Sequence, residues 1–433
     1  MKKEKNEKAI TLIALVITII VLLILAGVTI AALSGDNGIL TRAKEAKEKT
    51  EQAQKDEEKT LNNMENMLGI YNFENVNIMD TNPAGTVPEN SIVIEADANK
   101  GIVIKDKNNN EWVWIEVPKT TVFADLAIDT TRTLTEDDYT AIKNRLIAYV
   151  IAYRGSYTDE WYAKDGSTLV TAGTSNLTEA QKALTNGCGL TYDEYKTTYQ
   201  KMLKSVYTYG GFWIGRYEAG IEGSIDDVSK ARTSYSTVTI GTSPKAINQK
   251  DAIPYNYVYC SEAQVLAKEM TPDSSYTSSL MFGIQWDLVC KFLEVKSDLT
   301  TADINSNSTN WGNYNNAKIE NIVSGKYAIY NGVSLGEWIT ISKLYTKQNS
   351  GNDYRTLLST GITDYTKKMN IYDFAGNEWE WTLEKASNSY DSCAYRGGGY
   401  DLTGSDYPDS GRSSSSTTSS YSSVGFRSIL YAN

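Results

Sequence analysis

The chain has 433 residues, with 42 lysines and arginines against 53 aspartates and glutamates, a formal charge of −11. It contains no histidine, four cysteines and 30 tyrosines. The missing imidazole excludes a Ser-His-Asp triad, a histidine general base and imidazole-ligated zinc or iron. The acidic balance argues against nucleic acid as a partner, because phosphate neutralisation needs a basic surplus. At 41% hydrophobic and 22% charged the composition is globular and long enough for two or three units.

Four lysines, Lys2, Lys3, Lys5 and Lys8, precede an uncharged run from Ala9 to Leu33. As a helix this run extends roughly 37 Å, enough to cross a hydrocarbon core of about 30 Å. It is too long for the apolar region of a secretory signal. The reading is a leader over 1–9 and a transmembrane helix over 10–33. Arg42, Lys44, Lys47 and Lys49 follow closely, so basic residues alone leave the orientation tied.

Lys8-Ala9-Ile10-Thr11-Leu12-Ile13 resembles the cleavage and methylation segment of type IV prepilins and pseudopilins. That resemblance implies processing between Ala9 and Ile10 by a prepilin peptidase. It also implies a single pass through the cell membrane with the C-terminal part extracellular. Ala9 stands where the family has glycine, and Ala14 where it has the glutamate that registers subunits. Display therefore fits better than polymerisation, and an uncleaved anchor is the plainer alternative.

Residues 34–70 read as a solvated helical stalk with charge pairs such as Lys44/Glu48 and Glu45/Lys49 at four-residue spacing. Residues 71–90 read as a turn-rich linker containing Asn82-Pro83-Ala84-Gly85. From Ser91 the pattern turns to short strands and a few helices. Residues 101–105 and 111–117 flank an Asp/Asn-rich turn as a hairpin. Residues 135–153 read as a helix with Leu146, Ile147, Val150 and Ile151 on its apolar side. Thr191-Tyr192-Asp193-Glu194 is a capping box for a helix to about Val206, and a strand over 211–218 follows. Ser261 opens another helix, and 282–293 forms one more. Mixed elements without a βαβ rhythm predict an α+β domain over 91–433.

Phe212-Trp213-Ile214-Gly215-Arg216-Tyr217-Glu218, Asn377-Glu378-Trp379-Glu380-Trp381-Thr382, Arg396-Gly397-Gly398-Gly399-Tyr400 and Gly425-Phe426-Arg427 occur in that order. Together they resemble the formylglycine-generating-enzyme-like family, which implies a variant of the C-type lectin fold. The family's two copper cysteines fall at Leu402 and Tyr407, where no thiolate is present to select Cu(I). Its iron-dependent branch binds metal through histidines, which this chain lacks. The resemblance thus implies a binding domain rather than an enzyme. Catalysis of another type, by carboxylates and tyrosines, is the remaining enzymatic reading. The resemblance further implies a structural calcium held by the Asp373 and Glu380 side chains and the Gly376 and Glu378 carbonyls, a hard oxygen set around a glycine turn. The alternative is that Glu380 caps the loop while Trp379 and Trp381 pack the core. Cys188, Cys260, Cys290 and Cys393 permit up to two disulfides in three pairings. The helical placement of Cys260 and Cys290 reads as buried free thiols.

Between the Arg396 and Gly425 motifs lies the tract 400–423, whose residues Ser413 to Ser423 are all Ser, Thr or Tyr. Held between fixed ends, it reads as an adaptable contact face built from Tyr400, Asp401, Asp406, Tyr407, Asp409, Ser413, Ser415 and Tyr421. Tyrosine supplies contact area at low entropic cost and serine supplies adaptable hydrogen bonds. A protein or a glycan on another surface would be its ligand. The arrangement resembles ligand-binding proteins diversified by retroelements, in which adenine-directed mutagenesis yields Tyr, Ser, Asp, Thr and Gly. The alternatives are an undiversified hydroxyl-rich loop, and a minor pilin or pseudopilin that associates with pilus-type assembly proteins.

Overall fold

The computed structural model describes residues 15–23, 47, 49–50, 80–161, 188–351, 354–386 and 393–433. The chain divides into two compact units, Met1–Leu68 and Gly69–Asn433. In the first unit residues 15–23 are helical with their apolar side chains exposed. The expectation of a single-pass membrane protein is corrected here. Among the described residues no helix is long and apolar enough to cross a membrane. The predicted processing site Ala9–Ile10, the leader, the remainder of the 10–33 span and most of the predicted stalk lie outside the described residues.

The second unit is α+β. Its main sheet has six strands: β1 (Ile92–Glu95), β2 (Val103–Lys105), β3 (Glu111–Glu116), β4 (Gly211–Gly215), β7 (Tyr276–Leu280) and β17 (Ser428–Ala432). They lie in the order β1-β2-β3-β4-β17-β7, and every pairing is antiparallel. The β2–β3 turn closes on Asp106, whose carboxylate accepts from the backbone N–H groups of Asn108 and Asn110 and from Trp112 Nε1. Residues Trp112 to Ile115 of β3 and Phe212 to Ile214 of β4 are all buried, so the sheet carries packing on both faces. Trp114 and Trp213 meet edge to face with centroids 5.1 Å apart, and each indole N–H finds an oxygen of Thr81 or Thr86.

Helix α1 (Lys119–Val122) is a single turn. Helices α2 (Glu136–Tyr149) and α3 (Tyr192–Tyr209) start at Thr135 and Thr191, each closing a capping box on the third residue beyond. Helix α2 ends at Tyr149, so Ile142, Leu146 and Val150 face the core while Ile151, expected inside, is 67% exposed. Helix α4 (Cys260–Glu269) leads to β7. Helix α5 (Gly283–Lys296) is buried along most of its length, with α6 (Thr301–Asn305) after it. Three small sheets fill the periphery: β5 (Gly220–Ile221) with β6 (Ala246–Ile247); β8 (Ile319–Ile322) with β11 (Tyr345–Lys347); and β9 (Lys326–Ile329) between β10 (Ile339–Thr340) and β12 (Thr356–Leu358).

The last sheet carries the contact tract: β13 (Trp379–Lys385), β14 (Cys393–Arg396), β15 (Arg412–Ser415) and β16 (Val424–Phe426), in the order β15-β14-β13-β16. Strand β13 runs parallel to β16 and antiparallel to β14. Cys260 and Cys393 form a disulfide that ties the start of α4 to β14. The expectation of a free Cys260 is therefore corrected: a position at a helix start leaves its thiol able to reach a strand distant in sequence. Cys188 and Cys290 are buried free thiols.

Candidate functional site

Arg396 and Arg412 lie directly opposite each other in the β14–β15 register. Two like charges at such positions repel, and the neighbouring elements answer them. Asp287 of α5 accepts from Arg396 Nη2 at 2.9 Å and from Arg412 Nη2 at 3.0 Å. Glu384 of β13 accepts from Arg396 Nη1 at 3.2 Å and from Arg412 Nε at 3.0 Å. Arg154 donates to Asp287 at 2.6 Å, reaches Glu384, and lies 3.9 Å from Asp159. Burial alone would raise the Glu384 carboxyl, but the three guanidinium groups outweigh it and hold it below its ordinary range. Asp159 is pushed up to about 6 by burial, against the pull of Arg154. Arg412, the first residue of β15, is thereby fixed at the root of the tract.

From this root one face can be followed by contacts. Tyr395 pairs with Ser413 across β14 and β15, and the Ser413 hydroxyl donates to its phenol oxygen at 3.2 Å. Ser415 lies two residues further on the same face of β15, and its hydroxyl shares a hydrogen bond with that of Tyr421 at 2.9 Å. On the other side Tyr395 packs edge to face on Trp379, and Trp379 on Tyr407, with centroids 5.0 and 5.6 Å apart. Tyr407 is 38% exposed, Tyr421 is 42% exposed, and Asp406 beside Tyr407 is exposed, its carboxylate accepting from the Thr403 hydroxyl. Ser414 points the other way, within 3.2 Å of the Tyr157 hydroxyl.

Four residues expected on this face lie partly or wholly beneath it. Tyr400 is fully buried, with its hydroxyl 3.4 Å from Ser422 Oγ. Asp409 is fully buried: its carboxylate accepts from the Cys290 thiol, its carbonyl from Trp286 Nε1, and its own N–H donates to Ser308 Oγ. Burial lifts its carboxyl well above the usual range. Ser415 is buried, with its hydroxyl on that of Tyr421, and Asp401 is half-buried, held through its carbonyl by the Asn315 amide. The corrections at Tyr400, Asp401 and Asp409 share one cause. The chain doubles back after β14, and Gly398, at φ 78°, presses against the Tyr314 ring and the Tyr407 carbonyl where a Cβ has no room. The segment from 400 to 410 thus alternates between core and surface. Among the described residues the structure brings Asp406, Tyr407, Ser413 and Tyr421 to the surface together. Tyr395 and Trp379, absent from the predicted face, form the hinge of the contacts. The strand alternation of Cys393, Ala394 and Tyr395 was the available signal for Tyr395.

The loop assigned to calcium is built around Arg427. Its guanidinium donates to both oxygens of Glu380 at 2.7–3.1 Å and to the carbonyls of Gly215, Tyr372 and Asp373. Burial still lifts the Glu380 carboxyl to about 7 against the pull of Arg427. The Asp373 carboxylate accepts from the Gly361 N–H and the Thr366 hydroxyl, both at 2.7 Å. Gly376 donates its N–H to the Gly397 carbonyl at 2.7 Å. The Glu378 N–H donates to the Glu218 carboxylate at 2.9 Å. The two carboxylates assigned to the ion are thus already engaged, and Arg427 supplies the positive charge there, so the assigned set does not fit calcium.

Of the positions matched to copper cysteines, Leu402 packs against the core and Tyr407 stands on the exposed face. No known protein-family profile matches the chain, and no curated protein matches it. Several solved structures are similar to part of it, two of them as follows. Treponema denticola variable protein 1 is 14% identical over 52% of this chain and 85% of that one, with a TM-score of 0.28. A crystal structure of CarF is 11% identical over 52% of this chain and 87% of that one, with a TM-score of 0.27.

Proposed function

We propose that the second unit is a lectin-like ligand-binding domain, and that Asp406, Tyr407, Ser413 and Tyr421 form its contact surface. The observation that carries the reading is the contrast between the tract's root and its surface. The root is fixed by a buried network of arginines and carboxylates, while the surface presents tyrosyl and seryl groups joined by ring contacts and shared hydroxyl bonds. Such a surface recognises by aromatic contact and adaptable hydrogen bonds. Stacking on sugar faces and packing on a protein epitope both suit it. The domain acts by binding, and no bond-making step is assigned to it.

The full-length chain, applied to a glycan array and to a panel of purified surface proteins, tests the reading. Replacing Tyr407 and Tyr421 together by alanine should weaken whatever the wild type captures by roughly a hundredfold, the scale of two interfacial aromatics. Unchanged capture by the double variant would remove this surface from the function. We further propose that the codons for 400–423 are varied in nature by adenine-directed mutagenesis. A near-copy of the coding stretch differing only at adenines, beside a reverse-transcriptase gene, supports this; the absence of both overturns it.

A further inference from the structure

A cleft outside the tract lies between α2 and α3. Its volume is about 690 Å³, within the range of small-molecule sites. Glu136, Tyr139 and Lys143 of α2 and Tyr192, Tyr195 and Tyr199 of α3 recur at intervals of three or four, so each helix gives it one face. The Tyr195 and Tyr199 rings are nearly parallel, 7° apart in plane, with centroids 6.1 Å apart. Phe282, fully buried, packs edge to face on both and holds them in place. The buried hydroxyl of Tyr199 has no hydrogen-bond partner among the described residues.

The charge of this lining is unequal. Among the described residues it carries the carboxylates of Glu136, Asp137, Asp159 and Glu160 against the ammonium groups of Lys143 and Lys196. Both lysines are already paired, Lys143 with Glu160 at 2.9 Å and Lys196 with Glu136 at 2.7 Å. Asp159 is the deepest of the acids, 5% exposed, and accepts from the Gly283 and Ile284 N–H groups at the start of α5. Arg154 lies 3.9 Å from it but 2.6 Å from Asp287, so its charge is drawn mainly elsewhere. The cleft thus joins aromatic walls to an excess of negative charge.

We propose that this cleft binds a small organic amine, a primary ammonium ion on an aromatic body. The face of a tyrosine ring is the negative side of its quadrupole and attracts such a cation. The chain itself shows the preference, since the Lys143 ammonium stands 5.9 Å from the centre of the Tyr199 ring. A primary ammonium has three N–H donors, which the Asp159 and Glu160 carboxylates and the Tyr199 hydroxyl can accept. A quaternary head has none, and an anion would add to the excess of negative charge. The aromatic body suits the tyrosine walls by offset or edge contact. None of the lining residues belongs to 400–423, so the site is independent of what the contact face recognises.

The test titrates the full-length chain with three probes of one shape by saturation-transfer NMR and calorimetry: 2-phenylethylamine, 2-phenylethanol and 3-phenylpropanoate. The amine should bind with a Kd of about 0.1–1 mM, the scale for so small a ligand. The alcohol should bind roughly tenfold more weakly, and the anion not measurably. Asp159→Asn should weaken the amine roughly tenfold or more. Lys143→Met removes the cation that competes for Tyr199 and Glu160, so it should tighten the amine about threefold. This second variant decides the matter if Asp159→Asn does not fold by circular dichroism. The Tyr407→Ala/Tyr421→Ala chain should bind the amine as the wild type does. No binding of the amine, or equal binding of the alcohol, would overturn the site. Unchanged binding in a folded Asp159→Asn or in Lys143→Met, or loss of binding in the Tyr407→Ala/Tyr421→Ala chain, would overturn it equally.

Discussion

Arg427 shows how much one side chain can organise. It ties the junction of β16 and β17 to β13, to the end of β4 and to the loop before β13 through six hydrogen bonds to Glu380 and three carbonyls. A lysine cannot reproduce the fork. Arg427→Lys should therefore cost about 3 kcal/mol of stability in urea unfolding, the scale for breaking a buried pair. Lys347 gives a prediction of a different kind. Its ammonium is buried against the carbonyls of Tyr314 and Ala317, and burial pulls it down to about 7. In the unfolded chain the same group holds its proton to about pH 10.4. Between these values the unfolded state binds one proton more, so this residue's contribution to stability rises with pH. Urea midpoints at about pH 6.5 and 9 should show Lys347→Met gaining on the wild type at the lower pH and losing that advantage at the higher one. An equal difference at both would place the titration elsewhere.

At the scale of elements, the tract behaves as a framework strand followed by a strut rather than as a free loop. Arg412→Gln would leave Asp287 and Glu384 short of one positive partner in a buried setting. It should lower the unfolding free energy by about 3 kcal/mol and blunt ligand capture without touching the exposed face. The Cys260–Cys393 bridge spans 133 residues. In the chain-entropy account, closing so long a loop stabilises by about 5 kcal/mol, so a Cys260→Ser/Cys393→Ser variant should melt well below the oxidised chain. The helices and hairpin were legible because their signals are local: capping threonines, a turn aspartate, apolar periodicity. The motif around Glu380 and the one ending at Arg427 marked the strands of the tract's sheet, but their pairing is non-local. Hence Tyr400 and Asp409 read as surface from composition, although the double-back at Gly398 buries them. The disulfide was hidden for the same reason, since nothing in the sequence near Cys260 points to β14.

For the molecule as a whole, a net charge of −11 coexists with a contact face that carries a single exposed acid, Asp406, among the residues assigned to it. Capture through that face should change by less than about threefold between roughly 0.05 and 0.3 M salt, because screening acts on charges and not on aromatic contact. A steep salt dependence, followed by surface plasmon resonance, would point to another surface.

Strand β17 occupies an inner place in the main sheet, between β4 and β7, although it is drawn from residues 428–432. During synthesis β4 emerges long before its neighbour, so the sheet cannot close until those residues have left the ribosome. Up to that moment β4 and β7 expose unpaired edges, the condition under which chains associate wrongly. The contact tract, translated just before β17, completes its sequence while the scaffold beneath it is still open. Any change of residues in 400–423 is thus screened for compatibility with folding as well as for recognition, and a chain ending before Ser428 should be recovered as aggregate.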